Sequence, residues 1–105
     1  MRIWIDDMRK MPKGYDVHVH NYKEAKKLID ADCYTDDYIE HISFDHDLGE
    51  DKTGYDIARL IEKYAFKGLI PRMTWEVHSM NPVGASNITK AMKNAERYWD
   101  KNDSI

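Results

Sequence analysis

Three short stretches of the chain concentrate groups that can do acid–base, metal or phosphate chemistry. They are Asp6-Asp7 with Arg9, Asp45-His46-Asp47, and His78-Ser79 with Asn81. Adjacent carboxylates joined by others from a distant stretch supply hard oxygen ligands, which suit magnesium, manganese or calcium rather than zinc. Asp6, Asp7, Asp45 and Asp47 are therefore the candidate metal ligands, with Mg2+ or Mn2+ as the expected ion. Histidine titrates near neutrality, so His46 and His78 are candidate general acid and base beside Asp45. Ser79 carries a hydroxyl that could attack as a nucleophile. No acid-histidine-serine geometry is legible, however, and a hydrogen bond to a phosphate oxygen is the preferred role. Arg9, Asn81, Gly84 and Asn87 are the candidate ligand-binding residues, the last three because they precede a helix whose N-terminal amides can receive an anion. Plain strand-end and helix capping is the competing explanation for Asp6, Asp7 and the Asn81–Asn87 stretch.

These stretches must be held by something, and the pattern around them alternates between short strand-like runs and helical ones. Ile3-Trp4-Ile5 reads as a buried strand that ends at Asp6-Asp7. Asp16 to His20 alternates with apolar Val17 and Val19, as an edge strand does. Asn21 is placed to cap a helix carrying Ala25, Leu28 and Ile29 on one face. A third strand, Ile39 to Phe44, runs into Asp45-His46-Asp47. Thr53 with Asp56 predicts a capping box that opens a helix with the stripe Ile57, Leu60, Ile61, Tyr64 and Ala65, closed by Gly68. Met73, Trp75 and Val77 alternate with Thr74 and Glu76 in a fourth strand, and a last helix follows Asn81-Pro82-Val83-Gly84 with Ile88, Ala91, Met92, Ala95 and Trp99 on one side.

Right-handed crossovers then predict one α/β domain over residues 1–105, with a parallel sheet in the order 2-1-3-4 and three helices. In such a sheet ligands sit at the carboxyl ends of the strands where the winding reverses, here between strands one and three. The three polar stretches fall at such ends. His18 and His20, which alternate outward along an edge, and His41, early in its strand, are read as uninvolved.

Composition narrows the field. The 105 residues carry 16 basic and 19 acidic side chains for a net charge of −3, distributed as +2 over residues 1–30, −8 over 31–62 and +3 over 63–105. The acidic middle suits a cation site. No basic block interleaved with aromatics supports a nucleic-acid backbone or DNA-binding surface, so a small phosphorylated ligand is the expected partner, with a protein partner left open. The apolar runs fall far short of the ~20 residues of a membrane span, and one cysteine, Cys33, can neither close an intramolecular disulfide nor build a thiolate zinc site. A cytoplasmic setting is the expectation.

Taken together, Trp4-Ile5-Asp6-Asp7-Met8-Arg9-Lys10-Met11-Pro12, Ile42-Ser43-Phe44-Asp45-His46-Asp47-Leu48-Gly49 with Thr53-Gly54-Tyr55-Asp56, and Val77-His78-Ser79-Met80-Asn81-Pro82-Val83-Gly84 resemble the cyclic-phosphate processing receiver family over about residues 2 to 95. That resemblance implies a receiver-like (flavodoxin-like) domain lacking the first helix and the fifth strand of a full receiver. It matches Asp6 and Asp7 to an acidic magnesium-binding pair, Asp45 to a phospho-acceptor and Ser79 to a strand-end hydroxyl. Three functions stay open. One is a metal-assisted phosphoesterase acting on cyclic nucleotides or on the 2′,3′-cyclic phosphate of an RNA end. The second is a non-catalytic or inhibitory module that binds such a ligand, and the third is a phospho-acceptor domain.

Overall fold

In a computed structural model, which describes residues 1–32 and 36–103, the strands lie where the apolar runs place them. The chain order is β1 (Arg2–Ile5), β2 (Val17–Val19), α1 (Tyr22–Asp32), β3 (His41–Phe44), α2 (Gly54–Phe66), β4 (Thr74–Val77) and α3 (Pro82–Asp103). Cys33, on which the disulfide argument rested, lies outside the described residues. All three strand pairings are parallel and the order is β2-β1-β3-β4. Ile5 pairs with Val19 on one side and Phe44 on the other, while Phe44 also pairs with Val77. The strands therefore end level with one another, and the residues that follow them rise together from one edge.

β3 begins two residues later than the apolar run suggests. The amide of Ile39 is turned to Asp32 Oδ1 at 2.6 Å instead of to a neighbouring strand, and paired residues begin at His41. α3 begins earlier than expected. Pro82 occupies its first position, where the missing N–H costs nothing, and Asn81 Oδ1 accepts the Gly84 amide at 3.0 Å as a cap. Gly84 and Asn87 thus lie inside the first turns of α3 rather than ahead of it. The two other caps match expectation. Asn21 Oδ1 accepts the Glu24 amide at 2.9 Å, and Thr53 and Asp56 form a reciprocal capping box.

Both crossovers step across the sheet in the same direction, which puts α1 and α2 on one face, and α3 packs chiefly on α2. Ile3, Ile5, Val19, Ile42 and Phe44 point into that layer and meet Ile29, Ile57, Ile61, Ile88 and Met92 in one core. Each fully buried isoleucine contributes roughly 2 kcal/mol of apolar transfer. Among the described residues no helix joins β1 to β2 and none covers the other face. There Trp4, His41, Ser43, Thr74, Glu76 and His78 stand instead, with Tyr15 edge-on to Trp4 at 5.3 Å. Among the described residues no helix is long and apolar enough to cross a membrane.

Candidate functional site

The winding reverses between β1 and β3, because β1 leads outward to β2 while β3 leads the other way to β4. Asp6 is the first residue beyond β1 and Asp45 the first beyond β3; His78 is the first beyond β4. A ligand atom from each of these three lies within 4.8 Å of the other two. Distant stretches of sequence therefore meet at the switch point, as the strand pattern predicted.

Asp6 is 1% exposed, and its carboxylate is held from three directions. Oδ1 accepts the amides of Met8 at 2.8 Å and Arg9 at 2.7 Å, and Oδ2 lies 3.0 Å from His78 Nε2. Burial alone would raise its pKa. The two backbone donors and the His78 imidazole outweigh that and hold it below the usual aspartate value. Asp45 is pushed the other way. Burial is the main cause, and the neighbouring Asp6 charge adds to it against the His46 amide, which donates to Asp45 Oδ1 at 2.8 Å.

His78 is fixed on both nitrogens and one ring face. Nδ1 lies 2.7 Å from Ser43 Oγ, and the ring stacks on Trp4 with centroids 3.8 Å apart and planes within 5°. Arg9 bridges the same gap, donating from Nη1 to the His78 carbonyl at 3.0 Å. His18, read as uninvolved, braces the end of β1 by donating from Nε2 to the Asp6 carbonyl at 2.8 Å. His41 stays at the far end of the sheet against Thr74 Oγ1.

Other expected participants are placed differently. Asp7 turns toward the loop after β3, where a Cβ on Gly49 would stand 3.0 Å from its Oδ2. Asp47 is exposed and meets Asn81 Nδ2 at 3.4 Å. The His46 ring lies against Gly84 at the start of α3 with its Nδ1 buried and unpartnered, outside the group formed by Asp6, Asp45 and His78. Its backbone carbonyl accepts the Gly54 amide at 2.8 Å. Ser79 Oγ accepts the Asn81 amide at 3.1 Å, a local turn bond. Asn87 lies away from the site, lining a groove between α2 and α3 with Tyr55, Arg59 and Glu62.

Sequence reasoning gave no role to Trp4, Ser43 and Gly54, although all three stand in the stretches that carry the family resemblance. Ser43, with 0% exposure, had one legible signal: a hydroxyl inside the otherwise apolar run Ile42-Ser43-Phe44. Gly54 lets α2 start against the end of β3, since a Cβ there would lie 1.8 Å from the Asp45 carbonyl oxygen.

A divalent ion suits this arrangement chemically. Asp6 and Asp45 bring two carboxylates together in a confined place, and Asp6 keeps Oδ2 turned toward the shared centre. The family model described as cyclic-phosphate processing receiver domain matches residues 1–94. No curated protein and no solved structure matches the chain.

Proposed function

The chain belongs to the cyclic-phosphate processing receiver domain family, and from that premise we propose that it is a metal-assisted phosphoesterase that opens a cyclic phosphodiester. The substrate would be a cyclic nucleotide or the 2′,3′-cyclic phosphate of an RNA end. The observation that carries the reading is the convergence of Asp6, Asp45 and His78 at the switch point of the sheet.

Hydrolysis of such an ester adds water across one P–O bond. The water oxygen bonds to phosphorus, the bond to one ribose oxygen breaks, and that oxygen leaves with a proton. A bound Mg2+ or Mn2+ would supply Lewis acidity toward a phosphoryl oxygen and toward water. Asp6 and Asp45 would hold it. The two backbone amides on Asp6 Oδ1 keep that carboxylate ionised and oriented before any ligand arrives. Arg9, exposed and tied by Nη1 to the β4 end, would bring positive charge to the phosphate. His78 stands beside both carboxylates, whereas His46 is turned to Gly84, so His78 is the imidazole on which the reading depends.

Incubation with 2′,3′-cyclic mononucleotides, 3′,5′-cyclic nucleotides and cyclic-ended RNA, with Mg2+ or Mn2+, tests this by chromatography of the products. We expect turnover of at least one class, reduced about 100-fold or more by Asp45→Asn and His78→Ala and much less by His46→Ala. Absence of turnover for every class would overturn the reading.

A non-catalytic module that captures the same ligand is the second reading. One observation favours it: both ring nitrogens of His78 are already engaged, by Ser43 and Asp6. Saturable binding by calorimetry without product in those incubations would identify it.

A further inference from the structure

The three groups at the switch point share a feature that an isolated Asp–His pair does not require. Asp6 Oδ1 is bound by two amides while Oδ2 faces inward. Asp45 Oδ1 is bound by the His46 amide. His78 is bound through Nδ1 to Ser43 Oγ, and its Nε2 faces Asp6. Stacking on Trp4 keeps the imidazole from swinging away. Anchoring one atom of each group so that the other can meet a common centre is what outer-shell contacts do for metal ligands.

Ser43 governs which imidazole nitrogen is available. It is fully buried, and its Oγ lies 2.7 Å from Nδ1 of His78. A hydroxyl can accept from Nδ1–H of His78, which leaves Nε2 as the nitrogen able to offer a lone pair to an ion. Without an ion Nε2 and Asp6 Oδ2, 3.0 Å apart, are hydrogen-bonded, and a divalent ion would take the place of the proton between them.

We propose that His78 is, through Nε2, the third protein ligand of a divalent-ion site completed by Asp6 and Asp45. Ser43 is its positioning residue, and the site takes a first-row transition ion such as Mn2+ or Zn2+ in preference to Mg2+. The proposal rests on the reading above that an ion is held at the switch point. It departs from the expectation of four carboxylates, because Asp7 and Asp47 turn elsewhere and an imidazole takes part. Magnesium favours oxygen ligands and keeps its waters, whereas imidazole suits transition ions, so one nitrogen among three protein ligands shifts the selectivity. It also assigns His78 away from proton transfer, since Nε2 is then taken by the ion and the Nδ1 proton is held by Ser43.

Titration of the full chain with Mn2+, followed by the electron paramagnetic resonance of the free ion, gives the affinity. Three-pulse electron spin echo on the bound ion reads nitrogen coordination without turnover. We expect saturable binding, 14N modulation from one directly bound imidazole nitrogen, and Mg2+ competing at least tenfold more weakly than Mn2+. His78→Gln and His78→Asn should abolish the modulation. Ser43→Ala should weaken binding roughly 10- to 100-fold, and Asp45→Asn should weaken it as a second, independent ligand variant. Binding without 14N modulation, binding indifferent to Asp45→Asn, Mg2+ competing as well as Mn2+, or no saturable Mn2+ binding would each overturn the proposal. Nitrogen-coordinated Mn2+ in a protein that turns over no cyclic phosphate would instead uphold it and overturn the phosphoesterase reading.

Discussion

At Gly84 the His46 ring lies so close that a Cβ would stand 2.2 Å from His46 Cγ. Alanine has the better helix propensity, yet the clash dominates here. Gly84→Ala should lower stability by about 1–3 kcal/mol, and in a His46→Ala background the same change should cost much less. Urea denaturation of the four proteins of that cycle reads the coupling. His41 shows a different residue-scale effect. Burial, helped by the Arg2 charge and opposed by Glu76, lowers its pKa from the ordinary 6.5. The unfolded chain then takes up the proton first, so this contribution to stability is fully present above pH 6.5 and is lost as the pH falls through the lowered folded value. Denaturant midpoints at pH 7.5 and pH 5 should therefore differ less in His41→Gln than in the unsubstituted chain.

Elements position these residues through their ends. α2 starts where Thr53 and Asp56 cap each other and the Gly54 amide reaches the His46 carbonyl at 2.8 Å, which ties the loop carrying Asp45 and His46 to a rigid helix. Thr53→Ala should cost about 1 kcal/mol, visible as a lowered denaturant midpoint. Inside the element Ile61, with 0% exposure, has the larger role, and Ile61→Ala should cost about 2–5 kcal/mol. The strands impose a second constraint. Their registers align Ile5, Phe44 and Val77, so the residues after them rise at one level, and β4 turns its polar side toward the face that bears Trp4, Ser43 and His78.

For the whole molecule the missing β1–β2 helix has a consequence. The face of the sheet that no helix covers among the described residues carries a polar and aromatic row running from the switch point through His78 and Ser43 to Glu76, Tyr15 and His41, with Tyr15 packed on Trp4. A full covering helix would have to bury that row against apolar side chains. The fold and the site are thus one solution, in which the helix-bearing face supplies stability and the other face supports the imidazole. Any ion that binds only the folded chain must raise its melting temperature. At about 100 times its dissociation constant, Mn2+ should add roughly 2.7 kcal/mol, and differential scanning fluorimetry should show no such shift in Asp6→Asn.

Much of this was legible in one dimension. Alternation at Val17–Val19 and Thr74–Val77, the capping box at Thr53 and the closing Gly68 are local rules of backbone and side-chain geometry, and handed crossovers extend them to the order β2-β1-β3-β4. That order alone brings Asp6, Asp45 and His78 to one edge. Which way each side chain turns there depends on partners far apart in the chain. Asp7 goes to the Gly49 loop, Asp47 to Asn81 and His46 to Gly84, while Trp4 and Ser43 claim His78. Periodicity carries the placement of backbone, whereas only packing in three dimensions selects the atoms that meet.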